Sequence, residues 1–141
     1  MVRQVIHHIP LNILLHSPAG GVAKDLLRRG YKVQARARLL ISGAGPGHPK
    51  RVDTGLTRAS ISVRLLMSPD LTVRIGTSVR RAKWIHDGTG IYGPLHRPIK
   101  ARHGKVLRFK PKGSPYFIYR ASVKGMRKNP FLKDALPAAN K

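Results

Sequence analysis

The chain reads as an α+β fold: an antiparallel sheet of about four to five strands packed against one long N-terminal helix and a short C-terminal helix, with long flexible loops. Three observations predict it. Apolar residues recur at helical spacing between 17 and 42; they alternate on either side of a Ser-Pro-Asp turn between 61 and 77; and two segments rich in glycine, proline and cations separate the regular stretches. With 141 residues and a hydrophobic fraction of 41%, residues 1–141 make one ordinary domain able to bury a core, with flexible loops near 42–52 and 88–105.

Taken in order, "RQVIHHIPLNILL" sets Val5, Ile9, Leu11, Ile13 and Leu15 at mostly alternating positions, an extended pattern that Pro10 marks as an edge or a break. Ser17 can cap the long helix with Pro18 at its first position. Val22, Leu26, Val33, Ala37 and Leu40 form its apolar stripe, with Gly30 in the same row. Lys24, Arg28, Lys32 and Arg36 line another face at i, i+4 spacing, where each like-charge pair costs roughly 0.2–0.5 kcal/mol. An anion or partner alongside would relieve that row; so would simple solvation.

"SGAGPGHPKRVDTG" is a loop, and Asp53 or Thr54 can cap the short helical turn that follows. "SISVRLLM" and "LTVRIGTSV" form a hairpin. "KWIHDGTGIYGPLHRPIKARHGKVLRF" looks too irregular for a helix, with Ala82, Trp84 and Ile85 as its buried anchors. "KVLRF" and "YFIYRASV" are two more strands, and "NPFLKDAL" is the terminal helix, capped by Asn129, opened by Pro130 and burying Phe131, Leu132 and Leu136.

Charge dominates the composition. There are 28 Lys+Arg against 5 acids, all Asp, a formal net charge of +23. A compact body so charged repels itself and attracts polyanions. Cysteine is absent, which removes disulfides and thiolate metal sites. The longest apolar stretches are too short to span a bilayer, and no charged-then-apolar leader opens the chain, so no membrane partner is expected.

Catalytic constellations are missing. Asp25, Asp53, Asp70, Asp87 and Asp134 are scattered, whereas metal-dependent phosphodiester hydrolysis needs clustered carboxylates. His7 and His8 would point to opposite faces of a strand. "GAGPG" lacks the Lys-Ser/Thr of a phosphate loop. His86 and Asp87 are the best acid–base pair and the whole basis for reading a nuclease here. The expectation is a protein that is not an enzyme and has no metal, cofactor or catalytic residues. Lys50 and Arg51 in the first loop, and Arg97, Lys100, Arg102 and Lys105 in the second, are the candidate contacts to nucleic acid or a neighbouring subunit. A loop of that kind follows phosphates by counterion release and cannot read bases. RNA stacking would need exposed aromatics, and Trp84, Phe109, Phe117 and Phe131 read as core.

The ordered runs "VDTGLTRASI", "RIGTSVRRAKWIHDGTG", "KVLRF" and "VKGMRKNPFLKDAL" resemble a family of bacteriophage proteins: the neck or tail-completion proteins of long-tailed phages, related to the minor tail protein Z of lambda-type phages. The matching positions include Thr54, Gly55, Gly76, Gly88, Gly90, Gly125, Pro130 and Phe131, which the resemblance makes fold-bearing. This chain departs from the family pattern in its excess of bases. The resemblance implies a structural virion protein of the head-to-tail connector, assembled in the host bacterial cytoplasm as a closed homo-oligomeric ring, six- or twelve-fold. Its implied partners are a head-completion or stopper ring, the tail terminator and packaged double-stranded DNA. Charge and size alone leave a second expectation, a ribosomal or other sequence-independent RNA- or DNA-binding protein.

Overall fold

The computed structural model describes residues 17–51, 55–67, 70–111 and 113–140. The extended reading of residues 5–15 and the capping roles of Asp53 and Thr54 lie outside them. The class is α+β: a 21-residue helix, α1 (Gly21–Ile41), a one-turn helix α2 (Leu56–Ala59), a hairpin of β1 (Ile61–Leu66) and β2 (Thr72–Thr77), and a helix α3 (Arg81–Asp87). A 3-10 turn at Gly90–Tyr92 follows, then the short strands β3 (Ile99–Lys100), β4 (Leu107–Phe109), β5 (Ile118–Arg120) and β6 (Ser122–Val123), and a closing 3-10 turn at Leu136–Asn140.

Helix α1 begins at Gly21, not at Pro18, and its N-cap is Gly20, which makes no side-chain cap. "SPAG" instead closes a turn, the Gly20 amide donating to the Ser17 carbonyl at 3.1 Å. Ser, Pro and Gly stand there at the first, second and fourth positions that a type I turn favours, and that preference wins over the cap. The buried face of α1 is Ala23, Gly30, Val33, Ala37, Leu40 and Ile41. Val22 and Leu26, expected in that stripe, are only half-buried. The cationic row Lys24, Arg28, Lys32 and Arg36 is exposed, and Asp25 binds Arg28 and Arg29 at 2.7 Å each.

The β1–β2 hairpin is antiparallel, Ile61 opposite Thr77 through Leu66 opposite Thr72. Gly30 lets it lie close on α1, because a Cβ there would come within 2.7 Å of a Val73 methyl and 2.9 Å of a Val63 methyl. Gln34 and Arg38 donate from the helix to the Ile61 carbonyl and fix the start of β1. The core joins Val33, Ala37, Leu40 and Ile41 to Ile61, Ala82, Phe131 and Ala135, with Ile75, Ile85, Leu132 and Ala139 packed around them.

Four expectations need correction. The segment beginning at residue 81 does make a helix, ended by Gly88, whose amide donates to Trp84 O at 3.0 Å. No glycine or proline interrupts the chain from 78 to 87, and the positive φ of Gly88 then turns it out of the helix. Trp84 is not a buried anchor; it is 54% exposed, although Ala82 is buried. The strands form three two-stranded ladders (β1–β2, β3–β6 and β4–β5) in place of one sheet of four or five, since Pro98, Pro111, Pro115 and Gly125 bracket strands of only two or three residues. The terminal helix is a single turn, Asp134 N to Pro130 O at 3.0 Å, passing into the 3-10 turn; Pro137 cannot continue an α-helix, and Leu136 stays exposed.

Candidate functional site

Three of the glycines singled out in the sequence meet in one backbone crossing. Gly88, Gly90 and Gly125 all have positive φ, 80°, 65° and 90°. Thr89 N donates to Met126 O at 2.9 Å, Ile91 N to Lys124 O at 2.8 Å, and Met126 N to the Thr89 hydroxyl at 2.9 Å. A Cβ on Gly90 would collide with the Lys124 carbonyl, one on Gly125 with the Thr89 carbonyl, and one on Gly88 would reach Tyr92 O at 2.8 Å. Only glycine lets the two chains pass at this separation. Just beyond, Asn129 N donates to Ile85 O at 2.9 Å, and Phe131, fully buried, meets the edge of His86 with ring centroids 5.7 Å apart.

The crossing is the root of a cationic arm. After Gly93 the chain leaves the body, and His96 carries the positive φ (48°) of the departing turn. The arm returns through β3, where Ile99 faces Val123 and Lys100 faces Ser122. Arg97, Lys100, Arg102 and Lys105 are all exposed, and among the described residues none of them forms an ion pair. Four of the predicted contact residues therefore share one projecting segment. A shallow groove of about 380 Å³ runs along its base, between Gly88–Gly90 and Arg97–Lys100.

The β4–β5 ribbon continues the arm, Leu107 opposite Arg120 and Phe109 opposite Ile118. Phe109, Phe117 and Trp84, read from sequence as core, are exposed, as are Tyr116 and Tyr119. A two-stranded ribbon has no second layer to bury the rings it carries, whereas Trp84 stands on the open face of α3. The Arg108 guanidinium lies 3.9 Å from the Phe117 ring centroid, a cation–π contact at the surface.

The remaining predicted residues lie elsewhere. Lys50 is exposed. Arg51 is half-buried: its amide donates to Ile41 O at 3.0 Å and its guanidinium to Arg127 O at 3.3 Å. Arg51 therefore ties the first loop to the segment leaving the crossing, while Arg127 lies over the Tyr92 ring at 5.6 Å. Gly55 caps α2 with φ 78°, Gly76 lies in β2, Pro130 is half-buried beside Phe131, and Thr54 lies outside the described residues.

Sequence reasoning missed a polar clasp. Asn129, expected to cap a helix, is fully buried and turns its side chain the other way. Its amide nitrogen donates to Pro49 O at 3.1 Å and Leu40 O at 3.4 Å, and its oxygen lies 2.6 Å from His48 Nδ1. The other ring nitrogen of His48 is 3.3 Å from Asp134. Since the Asn129 oxygen can only accept, His48 Nδ1 carries the proton. The described part of the loop near 42–52 carries this clasp and amide bonds such as Ala44 N to Leu39 O at 3.1 Å. The one available signal was a histidine between glycine and proline, with asparagine, proline and phenylalanine far along the chain.

His86 Nδ1 lies 2.8 Å from the Asp87 carboxylate. Among the described residues, no three His, Asp or Glu side chains come together as a metal-binding group, and no helix is long and apolar enough to cross a membrane. Hydrogen bonding from Arg28, and next from Arg29, holds the Asp25 carboxyl below the usual carboxylate range.

Compared with family models, curated proteins and solved structures, the chain matches none.

Proposed function

We propose that this chain is a structural subunit of the bacteriophage head-to-tail connector, a neck or tail-completion protein that forms a closed ring around the DNA channel. The observation that carries the reading is the joining of Gly88, Gly90 and Gly125, three positions of the resemblance, into one crossing from which the unpaired cationic arm departs. A rigid root and a projecting, charged arm suit a joint between protein layers. Subunits repeat by rotation in such a ring, each arm reaching a neighbour or the DNA. With a net charge of +23, copies of this chain need a polyanion or acidic neighbours to offset their repulsion. The proposed partners are further copies of itself in a six- or twelve-fold ring, a stopper ring, a tail terminator and packaged duplex DNA. Its proposed place is the virion, after assembly in the host cytoplasm. No catalytic step is assigned to it.

Cryo-EM of purified particles tests this directly. The chain should form a ring in the collar between head and tail; its presence only in infected-cell lysate, and never in particles, would contradict the reading.

One observation favours a second reading. The exposed Phe109, Tyr116, Phe117 and Tyr119 stand among Arg108, Lys110 and Arg120, which is the pairing of ring faces and cations that single-stranded nucleic acid stacks upon. An RNA-binding or ribosomal protein would co-sediment with ribosomal subunits and lose solubility when RNA is removed.

A further inference from the structure

The β1–β2 hairpin has two unlike faces. Val63 and Val73 point to α1, where their methyls crowd Gly30. Strand alternation turns Ser62, Arg64, Arg74 and Gly76 to the opposite face. There the register sets Arg64 directly opposite Arg74 and Ser62 directly opposite Gly76.

Two arginines facing each other across an antiparallel pair repel, and like charges directly opposite destabilise a hairpin. Among the described residues no carboxylate lies in an ion pair with either one. Around them is a recess of about 220 Å³ lined by Ser62, Arg64, Arg74, Gly76, Thr77 and Ser78. Every charged group in that lining is a cation. Thr77 is occupied, its hydroxyl 2.5 Å from that of Ser60 and accepting from Val79 N at 3.2 Å, so it braces the wall. The hydroxyls of Ser62 and Ser78 add donors at the rim.

Gly76 opens the floor. A Cβ at this position would meet nothing within 4 Å, and its φ is not in the left-handed range, so neither packing within this chain nor backbone conformation requires glycine. What its missing side chain provides is access to the backbone of β2 next to the Arg64–Arg74 pair.

The geometry points to a phosphate-binding recess, in which Arg64 and Arg74 grip one phosphate group from both strands while Ser62 and Ser78 donate to its remaining oxygens. Guanidinium forks match phosphate geometry in two-point contacts, and a dianion or diester between them converts their repulsion into shared attraction. The phosphate is either free or part of a nucleic-acid backbone. This site lies on the hairpin, not on the arm, and it stands or falls independently of the connector reading.

Titration with inorganic phosphate, followed by amide NMR shifts and by thermal melts, tests the site; titration with duplex DNA identifies the source. The wild-type chain should bind phosphate saturably, with shifts centred on Ser62, Gly76 and Thr77. Gly76→Val leaves the charge unchanged and fills the floor, and should weaken binding at least tenfold while still melting cooperatively. Arg64→Gln with Arg74→Gln should do the same, whereas Arg80→Gln with Arg81→Gln, an equal loss of charge at exposed positions outside the recess, should stay within twofold of wild type. If Gly76→Val also weakens DNA binding, the occupant is a backbone phosphate; if DNA binding is untouched while phosphate binding is lost, it is a free phosphate. Unsaturable shifts spread over all the basic surfaces, or equal phosphate binding by Gly76→Val and wild type, would overturn the proposal.

Discussion

The body and the arm of this protein obey different rules. In the body, α1, the β1–β2 hairpin, α3 and the C-terminal turn share one core, and the fully buried Asn129 side chain is bonded to His48, Pro49 and Leu40. In the arm, from Pro94 to Arg120, strands of two or three residues carry exposed rings, and among the described residues its cations form no ion pair. Apart from the Arg64–Arg74 recess, the body's sequence is explained by its own packing. The arm's sequence is not, and under the proposed function its excess charge is offset by something negative. A rigid glycine crossing separates the two, so changes on one side should be silent on the other.

The sharpest break of that contrast lies in the core. Phe131→Ala should cost about 3–5 kcal/mol in denaturant unfolding, because the ring is wholly enclosed by the body; a near-neutral result would mean the body is not built around it. At the crossing, Gly125→Ala should cost about 2–3 kcal/mol, since the new Cβ collides with the Thr89 carbonyl and φ is 90°. The same melts should show it. His48→Ala should cost about 1–3 kcal/mol by leaving the buried Asn129 oxygen without its donor. His48→Gln, which can still donate, should recover part of that loss.

The smallest effect belongs to the surface of α1. Asp25 has a carboxyl pKa lowered by Arg28 and then Arg29, so its contribution to stability is present above the unfolded carboxylate's pKa and is lost as pH falls through the lower folded value. Asp25→Asn should therefore lower the melting temperature slightly at pH 7 in low salt, and progressively less as the pH falls below the usual carboxylate range or as salt is raised.

Legibility in the sequence follows a different line, between what periodicity and charge density report and what only tertiary contacts decide. The long helix, the hairpin and the burial of Phe131 were readable because periodicity reports directly on which face meets a core. The start of α1 was misplaced because "SPAG" satisfies both a helix cap and a turn, and only the neighbouring glycines tip the balance. Phe109 and Phe117 lie exposed because an aromatic in or beside a short strand is buried only if a second layer covers it, and Trp84 because its face of α3 meets no other element; layering is a tertiary property. The His48–Asn129–Asp134 clasp joins residues some eighty positions apart and carries no local signature. The four arm cations were visible as a cluster, since charge density needs no fold to be read. The recess at Arg64 and Arg74 needed the strand register, which places them opposite each other.

The claim at the centre is that the arm's cations serve a polyanion and contribute nothing to the fold. Changing Arg97, Lys100, Arg102 and Lys105 together to Ser, then measuring duplex DNA affinity across a salt series alongside thermal unfolding, tests it most directly. The account predicts an unchanged, cooperative melt and a slope of log K against log salt that is shallower by about 3–4, at roughly 0.9 per lost phosphate contact. An unchanged slope, or a melt that loses its cooperativity, would contradict it.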